Sequence, residues 1–564
     1  MKERLRIGSL LAFVAVVYAN TLWNQFTLDD GLYITGNPQV TQFSWPGLLA
    51  ANHVTNVFRP VSFATFALNW AIGPHPFGFH ALNLLLHAAV TLLLYFLLCA
   101  LLEGIAQGRT TAFVAAALFA VHPIHTEAVT SIVGRPELLA AGFVFAAWLL
   151  HLRSMPIPGL ICFALALLSK ESAAVFLPLV LVGDYARGKW KPVMRYSEIG
   201  GLTAIYLGLL WKVQGGRFGQ PAIALLDNPL GNLPAKWRIL NAVHVAWKYV
   251  GLQLYPAVLS CDYSFNQIPI FKDWRHTLSA AIAAVAVIGI WLWAVARRKS
   301  EWILAGGIYF AGFTTTANIL IPTGTILGER LTYLPSAGIC LLVAVVWMRV
   351  FEVAQEKREQ LLAWAAIVGI VGALGARTMV RNRDWKDNWT LFTAAVRATP
   401  SSAKAHNNLG LLYLNERQTD LAEAEFKSAL RIYPGYPDTL ASYGLLEFQR
   451  GNYADAEPMM RQALDTSTRA DPNYDFMAVN LAGLWMQTGD NFDAIQLLNR
   501  EIAESPGYAR AWANRAVIHY RLRQLTAAHL DAETALKLDG NNPQARQLMQ
   551  VLNSSSQSAA TLPQ

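Results

Sequence analysis

"AKAHNNLGLLYLNERQTDLAEAEFKSALRIYPGY", Ala403 to Tyr436, is the stretch from which the architecture can be read. Leu409-Gly410, Tyr413, Ala422, Phe426, Ala429 and Pro434 mark positions that return downstream. They come back as Tyr443-Gly444, Ala456, Met460 and Ala463; as Leu481-Ala482, Trp485, Ala494, Leu498 and Pro506; and as Trp512, Ala516, Ala528, Ala532 and Ala535. Starts at 403, 437, 475 and 509 give periods of 34, 38 and 34 residues. The small residues at 410, 422 and 429 let the two helices of a pair approach closely, and the large ones fill the space between pairs.

This register resembles the tetratricopeptide repeat, an α-solenoid of stacked helix pairs. It predicts a repeat domain over 403–553, with units 403–436, 437–470, 475–508 and 509–542 and a capping helix over 542–553. Upstream, Phe392, Ala395 and Pro400 stand where a repeat's second helix would have them, so 384–402 is expected to be a half-repeat and linker helix. The tail 554–564, "SSSQSAATLPQ", has the composition of a disordered end. The repeated residues themselves read as core. Any function belongs to the concave groove, which in this fold binds peptides or proteins.

Working outward to the N-terminus, the character of the chain changes. Over the whole sequence 54% of residues are hydrophobic and 15% are charged, against about 25% charged in soluble domains. From residue 1 to about 380 apolar runs alternate with short polar breaks, and a span needs about 20 apolar residues to cross a core about 30 Å thick. The runs lie near 7–23, 79–102, 111–125, 136–152, 157–169, 172–186, 197–212, 277–296, 302–320, 332–350 and 360–379, which predicts about eleven spans. The fold class is therefore all-α: a polytopic membrane helix bundle over 1–380, then an α-solenoid. The first run is a retained span and not a cleaved leader, because so many others follow it.

Lys and Arg in short loops set orientation. An inside N-terminus gathers Lys2, Arg4, Arg6, Arg109, Arg153, Arg187, Lys189, Lys191, Arg195, Arg297, Arg298, Lys299, Lys357 and Arg358 on the cytoplasmic face. The net charge of +8 is thus loop charge, and nucleic-acid binding is set aside. Trp237–Ser260 carries His244 and Lys248 in mid-run and reads as an amphipathic interfacial helix inside an external loop, 213–276. The odd span count puts the repeat domain outside as well. Four cysteines with no C-x-x-C spacing suggest neither a disulfide framework nor a thiolate metal site.

Five polar clusters then fall on the external side. Asp29 and Asp30 follow the first span within "TLDDGLYITGNP"; a solvated turn and a base for an acceptor hydroxyl suit them equally. Arg59, before a proline in "FRPVSF", is either a snorkelling side chain or a clamp for phosphate. In "AVHPIHTEAVTSIVGRPELLA", His122, His125 and Glu127 are not spaced to put three metal ligands on one helix face, so a hydrogen-bonded collar is expected, with Arg135 and Glu137 as an ion pair. Lys170 and Glu171 in "LLSKESAAVF" interrupt apolar runs of a dozen residues, roughly 18 Å of helix, and are expected in a recessed polar cavity. Glu329, Arg330 and Tyr333 open another span beside a Gly-containing loop.

In this order, "DD", "RPVS", "HPIHTEAV..IVGRPELLA", "SKES", "GERLTYLPSAG" and a repeat tail resemble the transmembrane and tetratricopeptide repeat-containing, O-mannosyltransferase-like family, relatives of the protein O-mannosyltransferases with a GT-C-like membrane domain. The resemblance implies an inverting transfer of a sugar, mannose by the family's name, from a polyprenyl- or dolichyl-phosphate donor to a hydroxyl acceptor such as a protein Ser or Thr. It places Asp29 and Asp30 as the catalytic pair, and leaves open which is the base, since related enzymes have Asp-Glu there. Arg59, Lys170 and Arg330 are expected to bind the donor phosphate, and His122, His125, Glu127, Arg135, Glu171, Glu329 and Tyr333 to line the cavity. No cofactor is called for, although a divalent metal is compatible with the chemistry, and the site-residue reading contains no metal ligand. No nucleotide-binding glycine loop is present, as befits a lipid-linked donor.

The alternatives are a non-catalytic, membrane-anchored repeat scaffold and a polymerase or transporter of lipid-linked saccharides. The first leaves the five clusters unexplained; a transporter calls for inverted repeat halves, which are not seen. Ala-rich spans lean toward a bacterial inner membrane with periplasmic repeats, or the endoplasmic reticulum membrane in a eukaryote.

Overall fold

Residues 111–121, "TAFVAAALFAV", are small and apolar almost throughout, and the helix they form is the centre around which the N-terminal half packs. The computed structural model describes residues 2–50, 57–216, 223–319, 321–469, 471 and 473–560. Among these every element is helical, and the chain divides into two compact units, Met1–Ser402 and Ala403–Gln564.

The main helices of the first unit are α1 (Lys2–Tyr18), α2 (Pro60–Ile72), α3 (Pro76–Leu101), α4 (Gly108–Val121), α5 (Arg135–Leu152), α6 (Pro156–Ser169), α7 (Phe176–Arg187) and α8 (Val193–Val213). They continue as α9 (Ala235–Leu254), α10 (Arg275–Ala296), α11 (Ser300–Phe313), α12 (Ser336–Val353), α13 (Lys357–Asp384) and α14 (Asn388–Ala398). Helix α4 touches α1, α3, α12 and α13. Ala115, Ala116 and Ala117 are buried along it, and small side chains are what allow membrane helices to approach on several sides at once. Gly338 does the same between α11 and α12, where a Cβ would meet the Ala305 carbonyl oxygen at 2.5 Å.

Each of the eleven apolar runs contains a helix. Among the described residues six helices are long and apolar enough to cross a membrane: Lys2–Trp23, Pro76–Leu101, Ile132–Leu152, Arg275–Ala296, Ser336–Val353 and Lys357–Asp384. Gly108–Val121 with Pro123–Val129, bent by 51° at Pro123, makes a seventh if the pair is one broken span. Four runs remain of the expected eleven or so: α8 has 21 residues but carries Arg195, Glu198 and Lys212 and is not among the membrane-length apolar helices, while α6, α7 and α11 have 14, 12 and 14 residues, about 18–21 Å of helix. Such pieces are too short to span a core of about 30 Å alone.

Helix α9 is not among the membrane-length apolar helices. It buries Asn241, Ala242, Val245, Tyr249 and Gln253, a single stripe at helical spacing, while Lys248 and Leu254 are exposed. Helix α2 was not apparent from the sequence as an element, because its 13 residues fall below the length of a span. Residues 217–222, inside the expected external loop, lie outside the described residues.

The second unit is four helix pairs and a closing helix: α15 (Ala403–Asn415) with α16 (Thr419–Ile432), α17 (Pro437–Gln449) with α18 (Tyr453–Thr466), α19 (Tyr474–Thr488) with α20 (Asn491–Glu504), α21 (Ala509–Arg521) with α22 (Leu525–Leu538), then α23 (Pro543–Ala560). Gly410 makes the first pair possible: a Cβ there would stand 2.6 Å from Phe426 Cε1. Ala422, Ala429, Ala456, Ala463, Ala494, Ala528 and Ala535 are all fully enclosed. The closing helix runs past 553 to Ala560, so the expectation of disorder from 554 does not hold there. No Gly or Pro interrupts the helix before Pro563. Residues 561–564 of the tail are outside the described residues.

Candidate functional site

The loop after α1 holds its two acids in unlike surroundings. Asp30 is completely buried; its Oδ2 accepts the Thr27 N–H at 2.8 Å, and its Oδ1 has no partner. Burial pushes the Asp30 carboxyl up from its ordinary 3.8 to about 7, with Asp29 adding to the rise and the Thr27 N–H and Arg135 opposing it. Asp29 is only half-buried. Its carbonyl accepts the Leu32 and Tyr33 N–H groups at 3.0 and 2.9 Å, which fixes the turn. Just before it Leu28 has φ 51°, the left-handed region that costs a residue with a Cβ about 1–3 kcal/mol.

Three cation–carboxylate pairs surround this loop, drawn from five segments of the chain. Arg59, at the start of α2, makes a two-pronged pair with Glu171: Nε to Oε2 at 3.0 Å and Nη2 to Oε1 at 2.6 Å. Lys170, in extended backbone where α6 ends, donates to Glu137 in the first turn of α5. Arg330, in the turn Glu329–Thr332, donates to Glu127 both from its guanidinium and from its backbone N–H, the latter at 2.9 Å. Glu137 is near enough to act on Arg59 and Arg330 as well, and Asp29 acts on Arg330, so the pairs and the acidic loop form one electrostatic cluster.

The three cations differ in access. Side-chain exposure is 34% for Arg330, 21% for Arg59 and 8% for Lys170. Glu171 is exposed, and the neighbouring Arg59 and Lys170 cations hold its carboxyl at about 2. Burial is the larger influence on Lys170 and keeps its ammonium below the usual value despite Glu137.

Arg135 does not pair with Glu137. Residues two apart at the start of a helix point to different sides, so Glu137 is left to Lys170. Arg135 itself is fully enclosed. Its Nε donates to Asn83 Oδ1 at 2.8 Å, Nη1 to the Thr65 carbonyl at 3.1 Å and Nη2 to the Phe79 carbonyl at 3.1 Å, and its Cζ lies 4.6 Å from the Phe66 ring centroid. Gly134 permits this entry into α5: a Cβ there would run into the Ala128 carbonyl oxygen at 2.3 Å.

The other expected cavity residues are buried in side-chain and backbone contacts. His122 Nε2 donates to the Gln253 carbonyl at 2.8 Å, and its Nδ1 accepts the Ile124 N–H at 3.2 Å. His125 is hydrogen-bonded to the Phe119 carbonyl at 2.9 Å and to Ser336 Oγ at 2.7 Å. Tyr333 donates to His87 Nδ1 at 2.7 Å. Among the described residues no three His, Cys, Asp or Glu side chains are grouped to hold a metal ion.

Glu329 is turned away from Arg330. Its Oε1 accepts the Ser260 N–H and the Tyr263 hydroxyl, both at 2.7 Å, and Arg381 stands 4.0 Å from its Oε2. Burial pushes its carboxyl up to about 7. Asn83 and His87 were missed by reading the sequence, although polar residues four apart inside a 26-residue apolar helix were a usable signal. Asn382 and Asn388, which grip the acidic loop from the far end of the unit, carried no such signal.

Residues 217–287 match the family model described as Protein O-mannosyl-transferase TMTC, DUF1736, and 376–437, 443–509 and 486–545 match that of the tetratricopeptide repeat. The first match holds Ser260 and Tyr263, the partners of Glu329. The chain is 27% identical to mouse Protein O-mannosyl-transferase TMTC3, over 94% of this chain and 64% of the relative. It is 30% identical to a Protein O-mannosyl-transferase of Caenorhabditis elegans, over 76% of this chain and 62% of the relative. It is 27% identical to mouse Protein O-mannosyl-transferase TMTC4, over 71% of this chain and 63% of the relative. The chain thus spans a little under two thirds of the length of these curated relatives.

Proposed function

We propose, for a chain that belongs to the transmembrane and tetratricopeptide repeat-containing, O-mannosyltransferase-like family, that the cluster around Asp29 transfers a sugar from a lipid-phosphate donor to a hydroxyl acceptor. The carrying observation is the division of labour within one loop. Asp29 is partly open and within electrostatic reach of Arg330, whereas Asp30 is sealed beneath it near Arg135. Asp29 is therefore the base, and Asp30 holds the turn through the Thr27 N–H.

In the reaction the acceptor oxygen attacks the anomeric carbon and gives its proton to the Asp29 carboxylate. The bond from that carbon to the lipid phosphate breaks, and its electron pair leaves with the phosphate, so the sugar's configuration inverts. Arg330, with one guanidinium arm on Glu127, is the most accessible cation to meet the leaving oxygen. Arg59 and Lys170 add positive potential behind it. Acceptors are protein Ser or Thr, mannose is the sugar that the relatives' names suggest, and the repeat groove holds the acceptor or a partner protein. The site lies on the non-cytoplasmic face of a bacterial inner membrane, or of the endoplasmic reticulum membrane in a eukaryote, by the loop-charge orientation.

The test is transfer of radiolabelled sugar from its lipid-phosphate carrier in membranes holding the full chain. Loss of a general base is expected to lower transfer by about 10²–10⁴-fold in Asp29→Asn, with a smaller loss in Asp30→Asn. Undiminished transfer by Asp29→Asn would refute the assignment.

A further inference from the structure

We propose that Asn388 is a positioning residue for Asp29, an inference that rests on reading Asp29 as the base. The end of α13 and the start of α14 are hydrogen-bonded at successive points to the chain that runs from the end of α1 to the acidic loop. Asn382 Nδ2 donates to the Val17 carbonyl and to Asn20 Oδ1, both at 2.9 Å, and its own carbonyl accepts Asn24 Nδ2 at 3.2 Å. The Gln25 N–H donates to the Lys386 carbonyl at 2.8 Å. Finally the Leu28 N–H donates to Asn388 Oδ1, also at 2.8 Å.

That last contact falls where support is needed most. Leu28 is the left-handed residue, φ 51°, and the next residue is Asp29. A Leu reverts from that region to ordinary backbone unless its surroundings hold it, and the reversion would swing the Asp29 side chain away from Arg330. Asn388 is free to do this because its own helix does not need it. Asp387 caps α14, its Oδ1 accepting the Thr390 N–H at 2.8 Å, so the amide oxygen of Asn388 is spent across the fold. Asn382 is held in turn by Thr130, whose hydroxyl donates to its Oδ1 at 2.9 Å, and the intervening Trp385 is buried.

The experiment compares N388A, N388D and D29N in the full-length, detergent-solubilised protein, with kcat, KM for the lipid-phosphate sugar, Tm and hydrogen exchange of the peptide covering 24–34. N388A is expected to lower kcat by about 10–100-fold, the effect of misplacing a catalytic group by about 1 Å, with KM within about twofold and faster exchange in 24–34. N388D, which keeps an oxygen before the Leu28 N–H, is expected to recover kcat. If N388A does not accumulate folded, N388S carries the same expectation, because its hydroxyl stops short of Leu28. Wild-type kcat in N388A or N388S, or an N388D as slow as N388A, overturns the proposal. Retained activity in D29N would instead overturn the reading beneath it, and the two failures are told apart by that variant.

Discussion

Replacing Arg135 by Leu should destabilise the first unit before it affects any substrate contact. The guanidinium is fully enclosed and makes three hydrogen bonds of 2.8–3.1 Å, to Asn83 Oδ1 and the carbonyls of Thr65 and Phe79, under the faces of Phe66 and Phe79. Charge-assisted bonds of this kind contribute about 1.5–3 kcal/mol each, which bounds the loss at about 5–9 kcal/mol. Thr65 and Phe79 lie in helices whose ladders still engage their carbonyls, and removing the cation also removes its desolvation cost. The expected loss is therefore below that bound, about 3–5 kcal/mol, because the acceptors left without the guanidinium cost about 1–3 kcal/mol each and two of the three keep other partners. Lys keeps the charge but not the planar fork, so Arg135→Lys should fall between Leu and the parent. Thermal unfolding in detergent, followed by the fluorescence of the 18 tryptophans, should show Tm lowered by on the order of 5 °C in Arg135→Leu. An unchanged Tm with transfer abolished would refute the argument and return Arg135 to the cavity-lining role expected of it.

Stability should also report the two carboxyls that burial pushes up to about 7, Asp30 from 3.8 and Glu329 from 4.5. A carboxyl that holds its proton more tightly when folded contributes stability that is complete below the unfolded value and lost as pH rises through the folded one. Between about pH 4.5 and pH 7 the Tm of the parent should fall relative to that of Glu329→Gln, which keeps a neutral group there at every pH; Glu171, held near 2, acts only below that window, and a parent that gains on the variant across it would contradict the sign. In the repeats, Gly410→Val should cost about 1–3 kcal/mol by overpacking against Phe426, while Gly435→Ala, with no atom within 4 Å of its Cβ, should leave Tm unchanged; equal Tm for the two variants would show that the close approach at 410 is not limiting.

Periodicity made the repeat domain legible because each helix pair repeats one packing solution, so Gly410 and Ala422 recur as Gly444 and Ala456. Hydropathy made the membrane helices legible, although length separated α6, α7 and α11 from true spans. Individual partners within the site were far less accessible. Arg135 with Glu137 is a sequence neighbour's guess, and helix geometry alone argues against it. Lys170 and Glu171 are adjacent in the chain yet leave in opposite directions, to Glu137 and Arg59. Asn388 is the extreme case. Its partner lies 360 positions away, and nothing in the residues around it distinguishes it from a helix-starting asparagine.

These exchanged partners bear on how a phosphate could enter. Arg59, Lys170 and Arg330 each already face one carboxylate, so the three pairs sum to no net charge and leave Asp29 as the partly open acid among them. A resting site of this kind does not hold inorganic phosphate by simple attraction, because every cation must first share its carboxylate. On the proposed reading the donor's lipid and sugar supply the binding energy, and the cations respond chiefly as negative charge builds on the departing phosphate. Arg330 can do so at the least cost, since Glu127 also holds its backbone N–H and the turn stays anchored while the guanidinium swings. Arg59 has both prongs on Glu171 and must break two bonds to move. The order of access, Arg330 before Arg59 before Lys170, is therefore also the order in which their loss should slow the chemical step relative to donor binding.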